Sequence, residues 1–320
     1  MKYISCISKY LTMYEKFAKA SDCWSRDSFN KLRCFDRWLS DYDDISQDLV
    51  DMWCAKRETE KVNSCISRIN PIISFLKYAT ERDLLNLNIP KIPKRQPRTY
   101  VPHAFSEDEL QRFFHACDNL YNNNTNEKNK YRKITIPVFF RLLYSTGLRT
   151  TEARLLRRED VDLISGVINV RQSKGGHQQH YVVMHDSMKV LMHEFDTVMD
   201  KLMPNRVYFF QSKLGNHYHA QWVTTSFSKI WKSCNDSKAV PYALRHHYAT
   251  ININKCLRDG LGFYSKFVYL SRTMGHRVLE STRYYYSLVP ELAQIIDDLT
   301  GEVAKEIYPE LTTEFDDENF

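Results

Sequence analysis

The chain has 320 residues, enough for about two domains and for sizeable cores without covalent staples. Hydrophobic residues make up 43% and charged residues 26%, which excludes a disordered chain. The net charge of +6 is a mild basic excess that permits a nucleic-acid partner without demanding one. The eight cysteines, Cys6, Cys23, Cys34, Cys54, Cys65, Cys117, Cys234 and Cys256, stand at no zinc-knuckle or redox spacing. They read as reduced thiols of a cytosolic protein, most of them packed as small apolar groups. No apolar run is long enough to span a bilayer, and Met1 leads into an amphipathic stretch rather than a signal core.

Residues 1–89 read as a helical domain. Ile7, Tyr10, Leu11, Tyr14 and Phe17 recur at helical spacing, as do Phe29, Leu32, Phe35 and Leu39. Two more helices fit residues 46–57 and 59–80, the last with Val62, Ile66, Ile69, Ile73 and Leu76 on one stripe and Pro71 as an expected kink. Lys16, Lys19, Arg26, Lys31, Arg33, Arg37, Lys56 and Arg57 lie off these stripes, as a solvated face does.

Residues 90–104 read as a basic linker. Pro90, Pro93, Pro97 and Pro102 forbid helix, and Lys91, Lys94, Arg95 and Arg98 stand between them. Four cations on an extended segment repel one another in solution and are neutralised along a phosphate backbone.

A second domain, residues 105–300, opens on Ser106 and Glu109 at capping-box spacing, with an acidic first turn. Residues 121–130 form a polar, asparagine-rich loop, and residues 134–145 an apolar helix that stops at Gly147. Residues 166–173 and 177–184 are β-rich and flank Lys174-Gly175-Gly176, a hairpin signal. From 186 onward the pattern is helical, apart from a strand candidate at residues 207–210. Residues 301–320 form an acidic tail. The fold class is therefore mainly α with a small β-hairpin or sheet (α+β).

Four clusters carry chemistry. Ser145-Thr146-Gly147-Leu148-Arg149-Thr150-Thr151-Glu152 places an arginine just after a glycine turn, with Glu152 near enough to orient it. Lys174 stands at the tip of the hairpin turn, where a lysine can swing to donate a proton. Pro241-Tyr242-Ala243-Leu244-Arg245-His246-His247 sets a polar triplet at a helix start. Met274-Gly275-His276 closes one helix, Glu280, Ser281 and Thr282 offer a cap for another, and Tyr284, Tyr285 and Tyr286 follow. Each cluster alone also fits an ordinary role: a surface ion pair, a solubilising turn lysine, a packed helix, packed tyrosines.

In this order the four clusters resemble the catalytic set of the tyrosine recombinases of the phage-integrase and Xer-like family, and the resemblance covers nearly the whole chain. It implies that Arg149 and Arg245 are the two arginines, Lys174 the β-hairpin lysine, His276 the histidine of the Gly-His pair and Tyr285, nine residues later, the nucleophile. Glu152 matches the acidic neighbour of the first arginine. The chain departs from the pattern at Tyr242, where the family most often has histidine. A tyrosine hydroxyl still donates to a phosphate oxygen but is a poor base near neutral pH, which leaves His246 or solvent to take the proton of the nucleophile.

The resemblance further implies site-specific strand cleavage and rejoining through a 3′-phosphotyrosyl intermediate, without cofactor or metal. It makes residues 1–89 a core-DNA-binding domain, gives double-stranded DNA and a homo-oligomer, expected to be a tetramer, as partners, and implies a cytoplasmic protein encoded by a bacterium, archaeon or phage. The acidic tail resembles the family's C-terminal segment, which packs on a neighbouring protomer; simple disorder fits its composition as well. The rival readings are a type IB topoisomerase and a catalytically weak DNA-binding protein on the same fold.

Overall fold

The computed structural model describes residues 3–97, 101–120, 130–171, 179–257 and 263–276, together with Thr282 and Tyr285. Lys174, Arg98, Tyr284, Tyr286 and the acidic tail lie outside the described residues. The chain divides into two compact units, Met1–Tyr100 and Val101–Phe320.

The described secondary structure of the first unit is all helical: α1 (Ser8–Ala20), α2 (Arg26–Leu39), α3 (Gln47–Cys54) and α4 (Val62–Thr80). Ser25 caps α2 by accepting from the Ser28 N–H, and Ser46 caps α3 by accepting from the Leu49 N–H. Such caps contribute about 1 kcal/mol each. The apolar stripes meet in a core of Leu11, Leu32, Phe35, Val50, Ile69 and Phe75. Pro71 lies inside α4, which nonetheless continues to Thr80. The buried Asp36 carboxylate accepts from the backbone N–H groups of Ile4 and Ser5, at 2.9 and 3.0 Å, and so ties down the start of the chain.

Two side-chain amides hold the segment that follows α4. Gln47 donates to the Asn88 carbonyl at 3.2 Å and accepts from its N–H at 2.8 Å. Asn63 does the same for Gln96, at 2.7 and 3.0 Å. The stretch between them has no regular secondary structure, and Lys91, Lys94 and Arg95 are exposed along it.

The second unit is mainly helical around a small antiparallel sheet. Its elements are α5 (Glu107–Asp118), α6 (Lys130–Thr146), α7 (Thr150–Leu155), β1 (Val161–Asp162), β2 (Val167–Val170), β3 (His180–Val183), α8 (Asp186–Leu202), α9 (Ala220–Cys234), α10 (Ala243–Leu257) and α11 (Phe263–Thr273). Ser106 and Glu109 form the capping box of α5. The sheet runs β1-β2-β3, with Val170 opposite His180 where the expected hairpin narrows towards its turn. The strand β1 carries too short a pattern to stand out in the sequence.

Residues 207–210 are not a strand. The Gln211 side chain accepts from the N–H groups of Val207 and Tyr208, which leaves one isolated bridge between Arg157 and Tyr208. Phe209 and Phe210 are instead buried with Phe113, Phe139, Phe140, Phe227 and Trp231 in the main core. The cysteines are also less packed than expected. Cys54, Cys65 and Cys117 are buried, whereas Cys6, Cys23 and Cys34 are exposed. A free thiol is small enough to tolerate either setting.

Three features of this unit position the candidate site. α10 packs against both α6 and α11, and α11 packs against β3. Ala249 and Ile253 of α10 join Phe267 and Leu270 of α11, with Met274 and Tyr285, in a small separate core.

Candidate active site

Gly147 ends α6 with φ of +64°. A side chain there would be strained, and its Cβ would collide with the Tyr248 ring on α10. Glycine therefore permits both the turn and the close approach of α10. Arg149 follows as the N-cap residue of α7. The buried Glu152 carboxylate accepts from the Arg149 backbone N–H at 2.8 Å and from its guanidinium at 2.7 Å. The guanidinium also donates to the Gly275 carbonyl at 3.3 Å. Glu152 thus fixes the main chain and the side-chain direction of Arg149 together.

Arg245 projects from the first turn of α10 and is only 2% exposed. Nη1 donates to the Gly147 carbonyl at 2.6 Å, and Nη2 to the Met274 carbonyl at 2.6 Å and to His276 Nε2 at 3.0 Å. A single planar guanidinium thereby joins the clusters around residues 147, 245 and 275, and its fork geometry makes these contacts simultaneously possible.

Gly275 has φ of +60°, and a Cβ there would lie 2.6 Å from His180 Cε1. The buried His180 of β3 thus sits directly against the Gly-His turn. His276 Nδ1 lies 2.7 Å from Thr282 Oγ1. Thr282 is fully buried. Tyr285 is 3% exposed, and its backbone N–H donates to the Thr282 carbonyl at 3.0 Å. The Tyr285 ring stacks on His276 at a centroid distance of 5.9 Å and tilts against His246 at 5.3 Å.

Burial raises the Tyr285 phenol above its ordinary pKa, and the nearby Tyr242 adds to this. The charge of Arg245, a hydrogen bond from it, and the charge of Arg149 pull the other way. Burial, with help from the Arg245 charge, pushes His246 down to about 4. His246 is therefore neutral near pH 7 but a weak base. Proton transfer from Tyr285 to His246 is uphill in the free protein, so the phenol keeps its proton there. Tyr242 is 41% exposed and packs edge-on against His246, with ring centroids 5.0 Å apart.

Arg149, Glu152, Tyr242, Arg245, His246, His276 and Tyr285 thus converge, although up to 136 positions separate them in the chain (149 to 285). Lys174 lies outside the described residues. Lys91, Lys94 and Arg95 belong to the first unit. The sequence reading missed two participants. Thr282 stood out only as a helix-cap residue. His180 was passed over, although the inward-outward alternation of β3 places it on the buried face. Among the described residues, no group of three or more His, Cys, Asp or Glu side chains is placed to hold a metal ion. None of the described helices is long and apolar enough to cross a membrane.

Comparison with known proteins bears on the family of the chain. The phage integrase family matches residues 103–291. Tyrosine recombinase XerC of Oceanobacillus iheyensis is 24% identical over 259 residues, covering 76% of this chain and 75% of the relative. The crystal structure of XerH site-specific recombinase bound to palindromic difH substrate, a post-cleavage complex, has a TM-score of 0.59 at 15% identity, covering 88% of this chain and 79% of that one. A lambda integrase tetramer bound to a Holliday junction has a TM-score of 0.57 at 15% identity, covering 87% of this chain and 76% of that one. At these identities the solved structures establish the fold, and the family match, which spans more than half of the chain, establishes the lineage. The chain belongs to the phage integrase family and is a tyrosine recombinase.

Proposed function

We propose that this recombinase cleaves and rejoins double-stranded DNA at specific sites through a covalent 3′-phosphotyrosyl intermediate. The observation that carries the proposal is the Arg245 guanidinium, buried beside Tyr285 and shared among Gly147, Met274 and His276. Such a charge, held rigidly in a site of low dielectric, suits the non-bridging oxygens of a phosphate in the transition state. Arg149, steered by Glu152, supplies the second charge.

In the proposed step, Tyr285 Oη bonds to phosphorus and the bond from phosphorus to the 5′-oxygen breaks. Lys174 gives a proton to the departing oxygen. The phenol loses its own proton, to His246 or to water. Tyr242, at the exposed rim, donates to a phosphate oxygen. A 5′-hydroxyl of a partner strand then attacks the phosphotyrosine, restores the phosphodiester and frees Tyr285. The energy of the original bond is retained throughout, so no nucleotide cofactor takes part. A topoisomerase running the same chemistry would act without a defined site; the site-specific family assignment favours recombination.

In this reading residues 1–89 bind the core DNA site, residues 90–104 follow the phosphate backbone and residues 105–300 carry the chemistry. The protein works in the cytoplasm as a homotetramer on DNA, an arrangement supported by the lambda integrase assembly. The test is a suicide substrate that carries the candidate recombination site. Wild type is expected to form a covalent adduct, and Tyr285→Phe to bind the site without forming one. Tyr284→Phe and Tyr286→Phe are expected to keep the adduct. An adduct that survives Tyr285→Phe and disappears in a neighbour's variant assigns the nucleophile elsewhere.

A further inference from the structure

The end of α11 is built around Gly275. Its N–H donates to the Arg272 carbonyl at 2.9 Å, and the His276 N–H donates to the Ser271 carbonyl at 3.0 Å. This pair of bonds is a glycine-centred helix stop, which needs a residue in the left-handed region, and Gly275 has φ of +60°. The next carbonyls lie beyond the helix ladder. Those of Met274 and Gly275 turn to the two arginines, accepting from Arg245 at 2.6 Å and from Arg149 at 3.3 Å. The position of this turn therefore helps to set the direction of both guanidiniums.

The same turn meets β3. His180 pairs with Val170 in the sheet and shares the inward row of β3 with Val182. An imidazole in that row costs more desolvation than the valine two places on. What the ring adds is reach. A Cβ on Gly275 would lie 2.6 Å from His180 Cε1, 2.9 Å from Nδ1 and 3.0 Å from Nε2. The tip of the ring thus fills the space that the glycine leaves open. A leucine at position 180 would end one bond short of Cε1 and leave that contact unmade.

We infer that His180 is a positioning residue: its ring braces the turn of Met274, Gly275 and His276, and through the first two carbonyls it holds the forks of Arg245 and Arg149 in their working direction. The brace comes from the sheet, and the groups it steadies stand on α7 and α10. The inference rests on the functional reading of the two arginines, and its test has one arm that is independent of that reading.

The independent arm is a cycle of melting temperatures on the full chain without DNA. Gly275→Ala suffers both backbone strain and collision with the ring. In the His180→Leu background only the strain remains, so the drop caused by Gly275→Ala should be smaller by about 2 °C or more. The second arm measures single-turnover cleavage of two suicide substrates, one with the ordinary scissile phosphate and one with a methylphosphonate in its place. The methylphosphonate carries no negative charge and asks less of the arginines. A displacement of about 1 Å in a catalytic group can cost a hundredfold, and His180→Leu is expected to lose about ten-fold or more on the phosphate. That loss should narrow on the methylphosphonate, as should the loss in Arg149→Ala measured alongside. Comparing two substrates within one preparation cancels any inactive fraction.

Additive melting shifts, or wild-type cleavage of the phosphate by His180→Leu, overturn the inference. So does an equal loss by His180→Leu on both substrates while Arg149→Ala narrows, because a residue that only fills the core does not respond to the charge of the phosphate. If Arg149→Ala itself fails to narrow, the reading of the arginines as phosphate ligands falls instead, and the melting cycle still decides whether His180 braces the turn.

Discussion

Arg245 and Arg149 carry the same charge but are held differently, and this makes their alanine variants distinguishable. Arg245 satisfies two main-chain carbonyls, those of Gly147 and Met274, from a nearly fully buried position. Leaving a buried carbonyl unsatisfied costs about 1–3 kcal/mol. Arg149 is partly exposed, and its firmest guanidinium bond is to Glu152. Both alanine variants should slow adduct formation by about a hundredfold or more, as loss of a preorganised charge donor does. Arg245→Ala should in addition lower the melting temperature markedly further than Arg149→Ala. Arg245→Lys should recover only part of either loss, because an ammonium cannot reproduce the fork. Thermal melts run beside suicide-substrate kinetics check this. Equal melting temperatures for the two alanine variants would mean that the carbonyl bonds of Arg245 do not support the fold.

At the scale of elements, α10 carries two histidines whose protonation changes on folding. His246 is pushed down to about 4 from its ordinary 6.5, chiefly by burial and then by the Arg245 charge. Burial lowers His247 as well. Above pH 6.5 His246 is neutral in both folded and unfolded chains, and its contribution to stability is complete. Between 6.5 and 4 the unfolded chain binds a proton that the folded one refuses, so stability falls as the pH drops. The decline from this residue ends once the folded imidazole is also protonated, near pH 4. The melting temperature should therefore decrease from pH 7 to pH 5, and His246→Gln should decrease it less over the same interval. Parallel curves for wild type and His246→Gln would show that the residue is not held neutral by the fold.

For the molecule as a whole, the segment around residues 90–97 decides how the first unit ends. Its ends are not loose, since Gln47 holds Asn88 and Asn63 holds Gln96 through paired amide bonds. Lys91, Lys94 and Arg95 are exposed on a chain whose path is set at both ends. Changing Lys91, Lys94, Arg95 and Arg98 together to Ser should weaken binding to every DNA sequence by a similar factor. The slope of log affinity against log salt should flatten by up to about 0.9 for each phosphate that the segment no longer neutralises. Site preference should survive, because binding to phosphates carries no direct base information. Titrations at several salt concentrations, on specific and unrelated duplexes, decide this. An unchanged slope in the quadruple variant would reduce the segment to a soluble connector.

The sequence by itself determined the class of fold, because periodic apolar stripes, the Ser106–Glu109 capping box and the glycine stop after α6 act over a few residues and need no distant partner. It also determined the family, since the order and spacing of the clusters around Arg149, Arg245, His276 and Tyr285 survive in one dimension. Only the tertiary structure decided how those residues depend on one another. The sharing of Arg245 between two carbonyls and His276, the collision that keeps position 147 a glycine and the seat of His180 against Gly275 join segments far apart in the chain, and no local pattern encodes them. The same holds for residues 207–210, whose β-rich composition suggested a strand. The side chain of Gln211 occupies their N–H groups, and the core claims Phe209 and Phe210, so packing overrides local propensity. Thr282 shows the division most plainly: its position reads as a helix cap, and only the fold brings its hydroxyl within 2.7 Å of His276 Nδ1.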